Sequence, residues 1–190
     1  MVFFLERLFA QTQLITFTPF YNSLNCNNAI NGVGFGSKQF QCSLNFTDSI
    51  SFMVYNIYNT QEYNLTYHGD VYCDDYLHYE MYTMDECTYS DYSGSSYLLG
   101  EAYQWSDVKV PANSILYQTL DNICENVQSY WYATNGTTIQ DKHAPWGSTQ
   151  YYCQQGKAYS RYCSPNGPCI TNQMMLDDCS SSSPFKIICT

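Results

Sequence analysis

The sequence predicts a mainly β fold: an antiparallel, sandwich-like arrangement stapled by disulfides, with one short α-helix near residues 114–127. Three observations predict it. Short segments of strand-like alternation recur, clusters of turn-forming residues separate them, and ten cysteines are spread over 190 residues. Strands at short intervals with turn clusters between them are typical of antiparallel sandwiches. We therefore expect one β domain over residues 19–190 after an apolar arm over residues 1–18, with a division into two small domains near 105–112 as the alternative.

The predicted strands come first in chain order. Apolar and polar residues alternate over residues 39–47, the period of two expected of a half-buried strand. Residues 50–58 are apolar on both parities, which predicts a central strand, and Tyr63, Leu65 and Tyr67 alternate with polar neighbours in the next strand. A hairpin over residues 76–84 follows, and we expect its inward side chains to be Leu77, Tyr79 and Met81.

The remaining segments divide into loops and one helix. Residues 22–36 are rich in Asn and Gly and predict a loop. Apolar residues recur three and four positions apart between Ile115 and Val127, and Asn113 or Ser114 stands where an N-cap belongs. That spacing predicts the helix, and extended segments follow it to the C-terminus.

The cysteines indicate disulfides rather than a metal site. Zinc sites use close pairs such as C-x-x-C together with histidines at partner spacing, and the sequence has neither. We expect no cofactor. The sequence leaves the pairing open, and sequence-adjacent pairs such as Cys26 with Cys42 and Cys73 with Cys87 are hypotheses. The predicted disulfide cysteines are Cys26, Cys42, Cys73, Cys87, Cys124, Cys153, Cys163, Cys169, Cys179 and Cys189.

Three N-glycosylation sequons point to the same oxidising compartment, outside the cell or at its surface. They begin at Asn45, Asn64 and Asn135. Asn45 and Asn64 lie on the polar side of their predicted strands, where side chains point into solvent, and Asn135 lies in an apparent turn. A glycan must project into solvent, so these placements are consistent with covalent N-glycans.

The charge balance excludes whole classes of partner. The net charge is −10, from seven Lys and Arg against seventeen Asp and Glu. Nucleic acids and anionic membrane surfaces require clustered positive charge. Residues 39–108 contain eleven carboxylates and neither Lys nor Arg, so phosphate would be repelled. We expect no nucleic-acid partner.

The N-terminal arm is apolar but does not predict a membrane span. No window approaches the eighteen apolar residues a spanning helix needs. Residues 1–10 resemble a signal peptide whose apolar stretch is interrupted by Glu6 and Arg7, so they are either a signal remnant or part of the mature chain. We expect the arm to dock on another subunit through Phe3, Phe4, Leu5, Leu8, Phe9, Leu14, Ile15 and Phe17.

No local motif selects a catalytic residue. The sequence has no G-x-S-x-G, H-E-x-x-H or G-x-G-x-x-G pattern, and we expect the protein not to be an enzyme. His143 is the best single candidate for a site, although a partly exposed loop histidine is the plainer interpretation. Asp70, Asp74 and Asp75 are candidate calcium ligands, although a solvated acidic face is the plainer interpretation.

Twenty tyrosines favour a contact surface. Tyr packs through its ring while its hydroxyl stays in water, and it is enriched where proteins meet. Our leading hypothesis is a secreted, glycosylated structural protein that assembles with copies of itself into a fibre, coat or sheath. The alternative is a lectin-like carbohydrate-binding module in which Trp105, Trp131 and Trp146 form a stacking platform.

Overall fold

The computed structural model describes residues 13–45, 50–58, 60–90, 95–102, 104–140, 147–180 and 184–190. Over these ranges the chain forms strands and a single 3-10 turn, Trp105–Asp107. The strands are β1 Leu14–Phe20, β2 Val33–Lys38, β3 Ser43–Asn45, β4 Ile50–Asn56, β5 Glu62–His68, β6 Tyr76–Thr83, β7 Cys87–Ser90, β8 Ser95–Ala102, β9 Ile115–Leu120, β10 Val127–Ala133, β11 Thr138–Gln140, β12 Ser148–Gln154, β13 Lys157–Cys163, β14 Cys169–Gln173, β15 Asp177–Asp178 and β16 Phe185–Cys189.

Three sheets share these strands. The large sheet has eight strands in the order β15, β16, β9, β10, β2, β1, β8, β7. Two four-stranded sheets, which we call the first small sheet (β3, β4, β5, β6) and the second small sheet (β11, β12, β13, β14), complete the fold. Every strand pair in the sheets is antiparallel, so the predicted mainly β, antiparallel class is confirmed.

Both small sheets pack against the same face of the large sheet and enclose the main core. Phe35 of β2 meets Phe52 of the first small sheet with ring centroids 5.0 Å apart. Trp131 of β10 meets Tyr151 of the second small sheet at 5.5 Å. One cluster of buried residues joins all three sheets, which confirms the predicted sandwich-like layering.

The opposite face of the large sheet carries a smaller cluster of buried residues. Tyr130 and Tyr132 lie there, and the connection between β8 and β9 covers them. Trp105 of that connection contacts the Tyr130 ring edge-on, with centroids 5.0 Å apart. The centre of the large sheet is therefore buried on both faces.

The predicted helix over residues 114–127 is wrong. The segment forms β9, a tight connection, and the start of β10. Ile115 and Leu116 are both buried because β9 is covered on both faces, and a strand buried on both faces loses its alternation. Asp121 closes the connection, since its Oδ1 accepts the backbone N–H groups of Glu125 at 2.9 Å and Asn126 at 3.3 Å.

The glycine-rich end of the predicted loop over residues 22–36 is a strand. Gly34 and Gly36 of β2 lie opposite Tyr132 and Tyr130 of β10. A Cβ on Gly34 would lie 2.2 Å from the Tyr132 ring, and one on Gly36 would lie 2.6 Å from the Tyr130 ring. Glycine is required here because the tyrosine rings lie directly over the neighbouring backbone.

The other strand predictions were confirmed in part. β4 and β5 form as expected, with Tyr63, Leu65 and Tyr67 buried. Of residues 39–47 only Ser43–Asn45 is a strand; Phe40 lies in the preceding turn and is 68% exposed, and residues 46 and 47 lie outside the described ranges.

Candidate interaction surface

The β6 strand is the outer edge of the first small sheet and exposes apolar side chains. Among the described strands it pairs with β5 alone. Leu77, Tyr79 and Met81, predicted to face the core, are instead 47%, 49% and 47% exposed. Tyr82 and Glu80 pair with Tyr63 and Leu65, which are buried in the core. The core face of β6 is therefore the side that carries Tyr82 and Glu80, and Tyr79 and Met81 lie on the other side. We call the exposed strand, Tyr76–Thr83, the β6 edge.

The outer face of the first small sheet continues this apolar surface. The rings of Phe40 and Tyr55 stack with centroids 5.8 Å apart. The Tyr55 hydroxyl accepts a hydrogen bond of 2.7 Å from Nδ2 of Asn64, which lies opposite Met81 on β6. This face therefore joins the β6 edge to an aromatic pair at the other side of the sheet.

A half-buried carboxylate anchors the β6 edge to both layers of the sandwich. Glu80 faces the interior, where its Oε2 accepts hydrogen bonds from the hydroxyls of Tyr82 at 2.7 Å and Tyr67 at 3.1 Å. Its two oxygens also lie 3.1 and 3.0 Å from the hydroxyl of Ser90 on β7, which belongs to the large sheet. Glu80 is not among the predicted site residues; its only sequence signal is that a carboxylate stands two positions before Tyr82, on the same side of the strand.

The two tyrosines of this network are held in their neutral form. Burial, followed by the charge of Glu80, raises the pKa of Tyr82 far above its ordinary value. Burial raises the pKa of Tyr67 in the same direction, with further contributions from Tyr82 and Glu80. Both phenols therefore remain donors to the carboxylate throughout the physiological pH range.

The outer edge of the second small sheet is also free. Among the described strands β14 pairs with β13 alone, and all five of its residues are exposed, Ile170 by 57%. We call this strand, Cys169–Gln173, the β14 edge. Arg161 of β13 lies opposite Thr171, and Arg161 and Lys157 are both exposed. This edge is therefore flanked by cations, whereas the connections on either side of the β6 edge carry exposed carboxylates, Asp74, Asp75, Asp85 and Glu86.

All ten cysteines form disulfides. The pairs are Cys26 with Cys87, Cys42 with Cys73, Cys124 with Cys179, Cys153 with Cys189, and Cys163 with Cys169. The sequence-adjacent pairs that we considered are therefore wrong. Bonding follows strand order in space: the connection between β1 and β2 meets the start of β7, and the connection between β2 and β3 meets the one between β5 and β6.

The structure also gives the positions of the sequon asparagines. Asn135 is exposed in the turn between β10 and β11, and its Oδ1 accepts the N–H of Cys153 at 3.0 Å. Asn64 is half-buried on the outer face of the first small sheet. Asn45 ends β3, and nothing is described of its side chain.

Of the three candidate calcium ligands, Asp70 uses its carboxylate to bind the backbone. Oδ1 of Asp70 accepts the N–H groups of Asp74 at 2.9 Å and Asp75 at 3.1 Å, which closes the connection between β5 and β6. These hydrogen bonds, that of Asp75 first, lower the pKa of Asp70. No group of three or more His, Cys, Asp or Glu within the described ranges is arranged to hold a metal ion.

The other predicted surface residues are distributed differently from expectation. Trp131 is 2% exposed and Trp105 packs on Tyr130, so these two do not form a sugar-stacking platform. Leu14, Ile15 and Phe17 of the predicted arm are buried in β1, between β2 and β8 of their own chain, and cannot dock on another subunit. The other arm residues, His143 and Trp146 lie outside the described residues.

Comparison with known proteins gives one match. The model of the family described as counting factor-associated protein A/B/C matches residues 1–190. No curated protein and no solved structure matches the chain. In the part of the chain that the structure describes, no helix is long and apolar enough to cross a bilayer. The five disulfides and the family match both fit an extracellular protein, and the chain belongs to the counting factor-associated protein A/B/C family.

Proposed function

We propose that this protein is a secreted, non-enzymatic structural subunit that associates with copies of itself through the β6 edge. The observation that carries the proposal is the edge itself. It is eight residues long, contains no Lys, Arg or Pro, and exposes Tyr76, Leu77, Tyr79 and Met81. Proteins that remain monomeric usually protect such an edge with lysine, proline, a bulge, an inward charge or a covering segment, because an exposed apolar edge strand pairs with other chains. The β6 edge has a bulge at its start and the inward Glu80, but its four apolar side chains remain exposed.

The anchoring of the edge supports the same role. A strand that recruits a partner must hold its register before the partner arrives, since ordering it on contact would reduce affinity. Glu80 ties β6 to Tyr67 in its own sheet and to Ser90 in the large sheet. The exposed side chains therefore belong to a strand whose inward side is already fixed.

The test is the oligomeric state of the full chain, purified from a eukaryotic secretion host with its disulfides intact. We expect sedimentation velocity to show mass rising with concentration, and electron microscopy to show particles larger than one chain. Tyr79→Lys combined with Met81→Lys should weaken association at least tenfold. Burying the exposed half of each of these side chains in the contact contributes about 1 kcal/mol or more to the free energy of association, and a loss of about 1.4 kcal/mol weakens the association constant tenfold. A wild-type chain that is monomeric at every accessible concentration overturns the proposal.

N-glycosylation belongs to the proposal because a secreted chain with exposed sequons is a substrate for it. Asn135 meets the geometric requirement directly, since it is exposed in a turn. At Asn64 a glycosylated amide would keep one N–H, which can still donate to Tyr55. Intact-mass measurement before and after peptide-N-glycosidase treatment tests both sites, and Asn135→Gln should remove one glycan. An unchanged mass would refute glycosylation without touching the assembly proposal.

Two other functions have specific support. The family description names association with a counting factor, which favours a different extracellular protein as the occupant of the same edge. Carbohydrate binding retains the stacked pair of Phe40, which is exposed, and Tyr55, which is half-buried, as a surface for a sugar ring. A glycan array and a binding assay against candidate extracellular proteins distinguish these from self-association, because a chain that only pairs with itself retains no sugar and no foreign protein.

A further inference from the structure

The chain folds as two copies of one eight-strand pattern. In residues 13–102 the large sheet takes the order β2, β1, β8, β7, and the first small sheet takes β3, β4, β5, β6. In residues 115–190 the large sheet takes the order β10, β9, β16, β15, and the second small sheet takes β11, β12, β13, β14. Each strand of the first half therefore has an equivalent in the second half whose number is higher by eight, such as β1 and β9. The halves meet where β2 pairs antiparallel with β10, so a local two-fold axis relates them.

Side chains repeat the pattern. Phe35 and Trp131 lie opposite each other across the junction of β2 and β10, and each packs on the second strand of its own small sheet, through Phe52 and Tyr151. In the first half, the disulfide from Cys26 to Cys87 joins the connection between the first and second strands to the seventh strand, β7. The disulfide from Cys124 to Cys179 makes the equivalent link in the other half.

This symmetry makes the β6 edge and the β14 edge equivalent positions at opposite ends of the molecule. The β6 edge lies beside β7, the last strand at one end of the large sheet, through the contact between Glu80 and Ser90. The second small sheet lies beside β16 at the other end, where Cys153 of β12 is bonded to Cys189. A contact that joins these two different ends is heterologous, and it generates a ring of subunits where the rotation closes and an open chain where it does not.

Charge distinguishes the equivalent ends. Residues 13–102 contain ten carboxylates and one lysine, a net charge of −9, whereas residues 115–190 contain five carboxylates and four cations, a net charge of −1. Two β6 edges brought together would therefore juxtapose two strongly negative halves. A β6 edge brought to a β14 edge instead meets exposed Arg161 and Lys157. Complementary charge selects the mixed contact over the symmetric one.

We propose that copies of this chain join head to tail, with the β6 edge of one copy pairing with the β14 edge of the next. The inference rests on the proposed self-association and names both of the surfaces that take part. It excludes a symmetric dimer through β6, which would be the simplest use of one exposed edge.

The experiment uses two variants of the full chain, each with one end blocked. The first carries Tyr79→Lys and Met81→Lys on the β6 edge, and the second carries Ile170→Glu and Asn172→Glu on the β14 edge; all four side chains are exposed. Each substitution gives its strand the charge sign of the end it would meet. We expect each variant alone to be monomeric and an equimolar mixture to form complexes containing both chains, measured by native mass spectrometry with one chain isotopically labelled.

The alternatives give different results. If the β6 edge paired with itself, the second variant would dimerise alone and the mixture would add nothing. The first result would overturn this inference alone, because association would still use the β6 edge. If wild type and both variants all polymerise, association uses other surfaces, so this inference and the proposed use of the β6 edge both fail. If wild type is monomeric, both fail. Leu24→Lys with Tyr58→Lys is the matched control, because both side chains are 87% exposed in connections away from the two edges, and it should polymerise like wild type.

Discussion

Glu80 fixes the β6 edge to two sheets, so Glu80→Gln should destabilise the fold by an amount the contacts define. Three hydroxyls, those of Tyr67, Tyr82 and Ser90, donate to its carboxylate. A hydrogen bond to a charged group contributes about 1.5–3 kcal/mol and one to a neutral group about 1 kcal/mol. Glutamine is neutral and replaces one acceptor oxygen with an NH₂ donor.

Since Glu80 is only half-buried, the loss should lie near the low end of these figures, about 2 kcal/mol in the free energy of unfolding. For a chain of this length that lowers Tm by roughly 4–8 °C. Glu80→Ala should cost more, about 3 kcal/mol or above, because three hydroxyls then lose their common acceptor.

The measurement is urea denaturation at neutral pH, followed by tryptophan fluorescence, with the disulfides intact. Glu86→Gln is the matched control, since its carboxylate is exposed in the turn before β7 and should change stability by less than about 0.5 kcal/mol. A double-mutant cycle with Ser90→Ala should give a coupling of about 1 kcal/mol. The reasoning is refuted if Glu80→Gln and Glu86→Gln unfold at the same urea concentration.

Three other perturbations follow from the structure. Gly34→Ala should cost about 1–3 kcal/mol, because the new Cβ would overlap the buried ring of Tyr132, whereas Gly100→Ala meets only an ordinary contact at 3.4 Å and serves as the control in thermal melts. Removing the Cys26–Cys87 or the Cys124–Cys179 disulfide by paired substitution with Ser should lower the free energy of unfolding by about 4 kcal/mol, and removing Cys163–Cys169 should lower it by about 2 kcal/mol. The difference arises because the sequence separations are 61, 55 and 6, and equal denaturant midpoints for all three variants would contradict this chain-entropy argument. Folding raises the pKa values of four buried tyrosines, Tyr67, Tyr82, Tyr130 and Tyr132, so their contribution to stability is complete below pH about 10 and falls as pH rises above it. Absorbance at 295 nm should show these phenols ionising only together with unfolding, and ionisation of the folded protein's buried tyrosines near pH about 10 would contradict their burial.

The sequence was informative where the apolar residues of a strand alternate with polar ones. In β5 the burial of Tyr63, Leu65 and Tyr67 follows the alternation that predicted it. In β9, covered on both faces, consecutive Ile115 and Leu116 are buried and the alternation disappears. The turn residues after it then supplied apolar spacings that imitate a helix. The misassignment follows from the position of the strand at the centre of the large sheet, which no local pattern reports.

The candidate surface was harder to predict because its residues depend on register. Leu77, Tyr79 and Met81 lie at alternate positions of one strand, but the pairing of β6 with β5 decides whether that side faces the core. Disulfide pairing was inaccessible for a related reason. Cys26 and Cys87 are 61 residues apart, and they meet only because β7 and β8 return to the sheet edge beside β1.

The near-symmetry of the two halves bears on why the cysteines are distributed as they are. The links at the outer ends, Cys26–Cys87 and Cys124–Cys179, are common to both halves, and they hold the seventh strand of each half at a free end of the large sheet. The other three differ between halves and lie in or beside the small sheets. In the second half Cys163–Cys169 closes the connection that leads into the exposed β14 edge, a short strand with little buried surface of its own. In the first half Glu80 secures the equivalent β6 edge through hydrogen bonds. A disulfide also reaches the connection into β6, through Cys73. The hydrogen bonds of Glu80 remain when the disulfides are reduced, so reduction should loosen the β14 edge more than the β6 edge.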